Sequence, residues 1–356
     1  MKASDLFVQC LEAEGVERIY GVPGEENADF LLSLETSSIE FILTRHEQAA
    51  AFMAATEGKL TGKAGVCLGT LGPGATNLIT GVADGNMDRA PLLVITGQGA
   101  TTRQHKESHQ IMDVVDMYRP VTKWSHAILD PANIPEIVRK AMKLATAEKP
   151  GATHIELAED IAAMHVDAQP IVPSKVRRPV PDDKIMDQAW DIIRAAKRPL
   201  IIAGNGTIRT RASKQLRRFC DATGIGVLMT FMAKGAVART QPHCLYTVGM
   251  GQKDIPLKAI KDADLIIALG YDMVEYPPSS WNPDRDKTIL HLDFLPAEVD
   301  AHYAPKIEVV GDLAHGLWAL NERIVRDGAP LFDLKAQADV RAAMQAEFDE
   351  HAGDTT

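Results

Sequence analysis

Apolar and polar positions in the first half of the chain switch repeatedly between a helical period and short apolar runs, the beat of a doubly wound parallel sheet. Residues 3–14 are helical in period, and residues 18–20 form a short strand that runs into the sharp loop Gly21-Val22-Pro23-Gly24. Glu25, Glu26 and Asn27 mark the start of the next helix. The apolar run 39–43 predicts a buried strand, followed by a helix over the alanine-rich stretch 49–58. Residues 64–70 and 91–96 read as further strands, separated by the loop Leu71-Gly72-Pro73-Gly74 and a helix beginning Ala75-Thr76-Asn77. The polar stretch 98–109 has little apolar periodicity and reads as a surface or active-site loop ending at His109-Gln110. Residues 131–147 then predict a helix and 152–157 a strand that extends the same sheet, with a turn at Pro150-Gly151.

From 170 to 181 the sequence becomes proline-rich and basic, with Lys175, Arg177 and Arg178, and loses periodicity. The α/β beat then restarts: helix 185–196, strand 199–203, helix 212–223, and strands 226–229, 264–269, 288–292 and 306–310. The pattern gives a first domain at 1–168, a linker at 169–184, a second α/β domain at 185–330 with a smaller sheet, and a charged helix or linker at 331–356. Both domains are thus read as doubly wound parallel sheets.

A length of 356 residues suits two domains. A net charge of -10 argues against nucleic acid or an anionic membrane as the main partner, since both reward a basic face. No apolar run approaches the roughly 18 residues of a membrane span, and residues 1–15 lack the apolar core of a signal peptide. Cys10, Cys67, Cys220 and Cys244 lie far apart without metal-ligand spacing, so neither disulfides nor a bound metal is expected from this chain. The expected location is the cytoplasm.

Chemistry concentrates at Arg45-His46-Glu47-Gln48, where a predicted strand meets a helix start. A carboxylate at the carboxyl end of a parallel strand faces the crevice in which open α/β sheets bind ligands. Desolvation there favours the protonated form of a carboxyl group. The competing reading makes Glu47 a first-turn acid that complements the helix dipole. The small side chains of Ala49, Ala50, Ala51, Ala54 and Ala55 would let something bulky press close, a neighbouring subunit being one candidate. Two further strand ends carry glycine-proline loops, 21–24 and 72–74, which admit a ligand close to the backbone. His46 and His109 are possible proton carriers without a visible nucleophile partner. In the second half, Gly204-Asn205-Gly206 begins a dinucleotide fingerprint, but Arg209 stands where its third glycine belongs, which favours a structural turn. Gly270-Tyr271-Asp272 is a second candidate cleft lining.

Laid end to end, these stretches resemble the pyrimidine-binding domain of thiamine diphosphate enzymes, specifically the acetolactate synthase group. The resemblance rests on Tyr20-Gly21-Val22-Pro23-Gly24-Glu25-Glu26-Asn27, on residues 44–52 from Thr44 to Phe52, on Gly69-Thr70-Leu71-Gly72-Pro73-Gly74-Ala75-Thr76-Asn77, and on Asp88-Arg89-Ala90-Pro91. His109-Gln110 and residues 120–123 extend it. Residues 270–278, Trp281-Asn282 and 308–312 resemble the catabolic members, which do without flavin.

The resemblance implies that Glu47 bonds N1′ of the cofactor's aminopyrimidine and favours its imino tautomer, whose nitrogen would remove the thiazolium C2 proton; the resulting ylid would attack the keto carbon of pyruvate, with the ring as electron sink. Carbon dioxide leaves and a second pyruvate is added, giving 2-acetolactate. Val22, Pro23, Gly24, Thr70, Gly72, Pro73 and Gly74 would flank the pyrimidine, with Asn77 and Gln110 near the reacting carbons. Catalytic roles fall to Glu47 and Gln110. Magnesium and the diphosphate would be held by a further domain carrying Gly-Asp-Gly, a motif this sequence lacks. That domain would come from the rest of the natural chain or from a partner, in a homodimer or homotetramer, and this chain would hold half a site. FAD in the second domain stays open, as do three alternatives: another thiamine-dependent 2-keto acid decarboxylase or oxidase, a non-catalytic assembly subunit, and a nicotinamide-binding oxidoreductase, which the two α/β domains and Gly204 to Gly206 suggest and the broken fingerprint disfavours.

Overall fold

The computed structural model describes residues 1–174, 176–249 and 255–352, so Lys175 of the linker lies outside the described residues. The chain divides into two compact units, Met1–Val176 and Arg177–Thr356.

The first unit runs α1 (Ala3–Ala13), β1 (Arg18–Gly21), α2 (Ala28–Leu34), β2 (Glu40–Leu43), α3 (Glu47–Thr61), β3 (Gly65–Gly69), α4 (Pro73–Met87), β4 (Leu92–Gln98), α5 (Val114–Tyr118), β5 (Trp124–Ala127), α6 (Ile134–Thr146), β6 (Ala152–Ala158) and α7 (Glu159–Ala163). Its six strands are all parallel, in the order β2-β1-β3-β4-β6-β5. One face of the sheet buries Phe7 and Leu11 of α1, Phe30 of α2 and Val138 of α6. The other buries the alanines of α3 and Leu78 and Val82 of α4. Strands β3, β4 and β6 are buried along their whole length, which is why they read as continuous apolar runs rather than alternating ones.

Ala50, Ala51, Ala54 and Ala55 are buried within this unit, chiefly against α4. A Cβ on Gly81 would come within 2.7 Å of the Ala51 Cβ, and one on Gly85 within 3.0 Å of the Ala55 Cβ. The small side chains therefore serve close packing of two neighbouring helices, not the seat of another subunit; only Ala49 of the run is exposed. A second expectation is also corrected. Strand β2 is an edge strand with no buried residue, and Leu43 is 67% exposed, because a short apolar run does not distinguish an edge from a centre.

The second unit runs α8 (Asp183–Ala195), β7 (Pro199–Ala203), α9 (Asn205–Arg209), α10 (Ser213–Thr223), β8 (Val227–Thr230), β9 (Cys244–Val248), α11 (Leu257–Asp262), β10 (Leu265–Leu269), α12 (Pro278–Trp281), β11 (Thr288–Asp293), β12 (Ile307–Val310), α13 (Leu313–Asp327) and α14 (Lys335–His351). The sheet has the order β12-β11-β10-β7-β8-β9 and six strands, as many as the first, so it is not the smaller sheet that the sequence pattern suggested. Strand β9, with a register shift against β8 and Tyr246 at φ 67°, lacks the regular pattern that would have announced it.

Helix α14 packs on β9 and α11 and belongs to this unit. Its Gln337 is buried, accepts from the Gly226 N–H over 2.7 Å and donates to the Pro199 carbonyl over 2.7 Å. The four cysteines are free and buried. Among the described residues, no helix is long and apolar enough to cross a membrane, and no three His, Cys, Asp or Glu side chains are grouped to hold a metal ion.

Candidate active site

In the first sheet β1 leads outward to β2 on one side, while β3 and the later strands lie on the other. The chain therefore reverses its direction of travel between β1 and β3, and the loops that follow these two strands part to form a crevice. The loops touch across it. A Cβ on Gly24 would lie 2.4 Å from the Thr70 Cβ, so no larger residue fits there without displacement. Glu26 accepts from the Thr70 hydroxyl over 3.1 Å, and Asn27 Oδ1 accepts from the Gly24 N–H over 2.9 Å, tying the two turns into one wall.

Glu47 is the first residue of α3 and is buried, with 8% of its surface exposed. His46 supplies the N-cap: its Nδ1 accepts from the Gln48 N–H over 3.1 Å, which assigns this histidine a structural task. Thr44 donates its hydroxyl to the Gly21 and His46 carbonyls and fixes the turn that delivers Glu47. Asn77, on the first turns of α4, donates its Nδ2 to Glu47 Oε2 over 2.9 Å. Glu47 Oε1 lies 3.4 Å from where a Gly74 Cβ would stand. Gly74 thus keeps the approach to the carboxylate clear of side chain. Pro73 opens α4, its missing N–H costing nothing at a helix start.

The remaining predicted residues surround this carboxylate unequally. Gly72 adopts φ 51° and faces Gln110, whose carbonyl would meet a Gly72 Cβ at 2.7 Å. The structure therefore brings the distant Gln110 to the β3–α4 turn, although its side chain is exposed. His109 is exposed beside it. Val22 is half-buried, whereas Pro23 is exposed and lines a separate groove with Leu31, Leu34, Ile39 and Phe41.

A buried polar layer beside this site escaped the sequence reading. Tyr118 stacks on His154 at 4.1 Å and donates its hydroxyl to the Ala75 carbonyl over 2.7 Å. Burial, assisted by the nearby Glu47 carboxylate, pushes the Tyr118 phenol well above its ordinary value. Ser125 donates to the Val115 carbonyl, so His154 Nδ1–H donates to Ser125 and Nε2 accepts from Thr96, a neutral tautomer. Desolvation lowers the His154 pKa to about 3. Two residues on, Glu156 accepts from Gln98 over 3.0 Å, and desolvation, assisted by the Asp113 charge and opposed by that hydrogen bond, raises it to about 7. His154 and Glu156, at alternate positions of a strand that is apolar apart from them and Thr153, were the signal available for this layer.

The second unit has the strand order of dinucleotide-binding sheets, with its crevice between β7 and β10. The Gly204–Gly206 turn lies there, but a Cβ on Gly206 would meet Gly270 Cα at 2.6 Å, so the two loops close on each other. Glu275 is buried against the same turn, its Oε1 accepting from the Asn205 N–H over 3.0 Å while Thr230 donates to the other oxygen. The chain's own carboxylate stands where a ligand's pyrophosphate would be received. Desolvation raises the Glu275 pKa to about 7.

Residues 1–117 match the thiamine pyrophosphate enzyme N-terminal TPP binding domain, and residues 186–320 match the central domain of the same enzymes. The chain belongs to the thiamine pyrophosphate enzymes and carries these two domains. Among curated proteins it is similar to a probable acetolactate synthase large subunit of Methanocaldococcus jannaschii, with 37% identity over 88% of this chain and 54% of the relative. It shares 33% identity with an acetolactate synthase of Bacillus subtilis, over 88% of this chain and 55% of that protein. A catabolic acetolactate synthase of Raoultella terrigena is 36% identical over 90% of this chain and 58% of its own length. The chain thus spans about half the length of the curated relatives it matches.

Proposed function

We propose that this chain forms the pyrimidine-side half of an acetolactate synthase that uses thiamine diphosphate to decarboxylate pyruvate and join the remaining two-carbon unit to a second pyruvate. The observation that carries the reading is the Glu47 carboxylate, buried at the β1/β3 crevice, oriented by Asn77 and left accessible by Gly74. An acid held in this way can bond the ring nitrogen of an aminopyrimidine and exchange a proton with it. Thr70 and the glycines at 24, 72 and 74 supply walls without bulk for a flat ring, and Val22 lies half-buried on the loop beside them. When bound, the cofactor supplies the carbon nucleophile and the electron sink; the protein supplies position, desolvation and a fixed carboxylate.

The names of the relatives support pyruvate as substrate and the acetolactate product. Gln110, lying over Gly72, is suited to contact the reacting carbons. Magnesium and the diphosphate belong, in this reading, to a further domain in the natural chain or a partner, within a homodimer or homotetramer. Helix α3 turns Phe52, Met53 and the 79% exposed Leu60 outward, an apolar face suited to such a neighbour. Four free cysteines suit a reducing compartment, and we place the protein in the cytoplasm. For FAD the second unit is a poor receptor, because Glu275 already accepts from the Asn205 N–H of the glycine turn.

The test supplies pyruvate, thiamine diphosphate and magnesium to the natural full-length protein and measures acetolactate. Glu47→Gln is expected to abolish the product while the circular dichroism spectrum and melting temperature stay as in the wild type. A Glu47→Gln protein with near-normal acetolactate formation would falsify the assignment.

A further inference from the structure

Gln110 occupies a chain segment that leaves the sheet at the end of β4 and re-enters structure at α5, with no strand or long helix to fix it. Its beginning is held by the acids that follow β6. Glu159 accepts from the Ala100 N–H over 2.9 Å and from Arg103 over 2.7 Å, and Asp160 accepts from the Thr101 N–H over 3.1 Å. Its end is held differently. Gln98 is 3% exposed, and its Nε2 donates both to the Met112 carbonyl and to Glu156 Oε2, each over 3.0 Å. Its Oε1 accepts from the Gly99 N–H over 3.0 Å. The amide orientation is therefore dictated: two acceptors face the nitrogen and one donor faces the oxygen.

We infer that Glu156 is a positioning residue for Gln110: through the Gln98 amide it fixes the Met112 carbonyl, two residues from Gln110, and thereby lays Gln110 on Gly72. Glu156 Oε2 and the Met112 carbonyl both accept from the Gln98 nitrogen, so a flipped amide would turn its oxygen toward the Met112 carbonyl and lose the bond that Glu156 receives. Gly72 and Gln110 approach closely: with Gly72 at φ 51°, a Cβ there would stand 2.7 Å from the Gln110 carbonyl. The catalytic consequence for Gln110 rests on the function proposed above, whereas the loop's seating does not.

The experiment measures amide hydrogen exchange in the natural full-length protein for residues 104–113, with α6 as the internal reference. In Glu156→Leu, exchange across 104–113 is expected to quicken by about tenfold or more while α6 keeps its protection. Glu156→Gln, whose carbonyl can still accept from Gln98, should restore most of the protection. Gln98→Leu removes the same link from the other side and should reproduce the loss. Unchanged exchange in 104–113, or an equal loss in α6, overturns the inference. In acetolactate assays of the same variants, kcat should fall with thiamine diphosphate affinity unchanged. If the wild type makes no acetolactate, the functional reading fails while the exchange result still decides the positioning role.

Discussion

Asn77 Nδ2 donates to Glu47 Oε2 over 2.9 Å, so the first turns of two adjacent helices share one carboxylate at the mouth of the sheet. Neither residue could do this alone: α3 delivers the acid and α4 decides which way it faces. Asn77→Leu should therefore lower thiamine-dependent turnover by about 100-fold, the scale of loss from a misplaced catalytic group. The melting temperature should change little, because Asn77 is only half-buried. Steady-state kinetics with saturating cofactor checks this; turnover within about twofold of wild type would remove Asn77 from the site.

Gly24 and Thr70 form the second cross-loop contact. Gly24 has extended backbone, with φ -148°, so alanine there is opposed by contact alone. Gly24→Ala is expected to destabilise the first unit by about 1–3 kcal/mol, the usual cost of overpacking, and to weaken cofactor binding. Replacing Thr70 by glycine removes the three atoms nearest to the new Cβ. The double variant should thus recover stability relative to Gly24→Ala, and a double-mutant cycle in urea measures the coupling. Additive effects would mean the loops move apart freely.

Glu156 makes stability depend on pH with a definite sign. Its folded pKa, raised from 4.5 to about 7, means that the folded state binds the proton more tightly than the unfolded one. Its favourable contribution is complete below pH 4.5 and is lost as pH rises through about 7. Wild type should lose up to roughly 3 kcal/mol across that window relative to Glu156→Gln, which does not titrate. His154 works oppositely: lowered from 6.5 to about 3, it costs stability as pH falls through that range. Urea melts of both proteins at pH 4.5 and 7.5 provide the comparison, and parallel curves would show that Glu156 is not buried as a charge.

Gln337 ties α14 to the amino ends of β7 and β8 through two buried backbone groups. Gln337→Leu leaves both unpaired, at about 1–3 kcal/mol each. Truncation at residue 334 should cost at least as much and be seen as an earlier transition in calorimetry. An unaltered transition would mean that α14 contributes nothing to the unit.

Flavin is expected to find no site on the second unit, since Glu275 fills the turn and the Gly206 and Gly270 backbones are in contact. Titration of FAD into the purified protein, followed by flavin fluorescence, should show no saturable change. Quenching with a micromolar dissociation constant would require the loops to open.

Periodicity determined the elements themselves. A strand such as 199–203 is apolar throughout, and a helix such as Ser213–Thr223 repeats its buried residues at the helical spacing, so each announces its own type. Short polar-flanked pieces stayed hidden: Trp124–Ala127 is half-buried throughout, and Cys244–Val248 pairs through an irregular register. Glu47 and the glycine turns at 24, 72 and 74 were legible because their residue types are conspicuous at strand ends. Tertiary structure decided what they face. That Asn77 aims at Glu47, that Gln110 reaches Gly72, and that Gln98 bonds Glu156 are contacts between residues 30, 38 and 58 positions apart in sequence. Local pattern carries no information about such pairs, because strand order, not sequence order, sets which loops meet at the mouth of a parallel sheet.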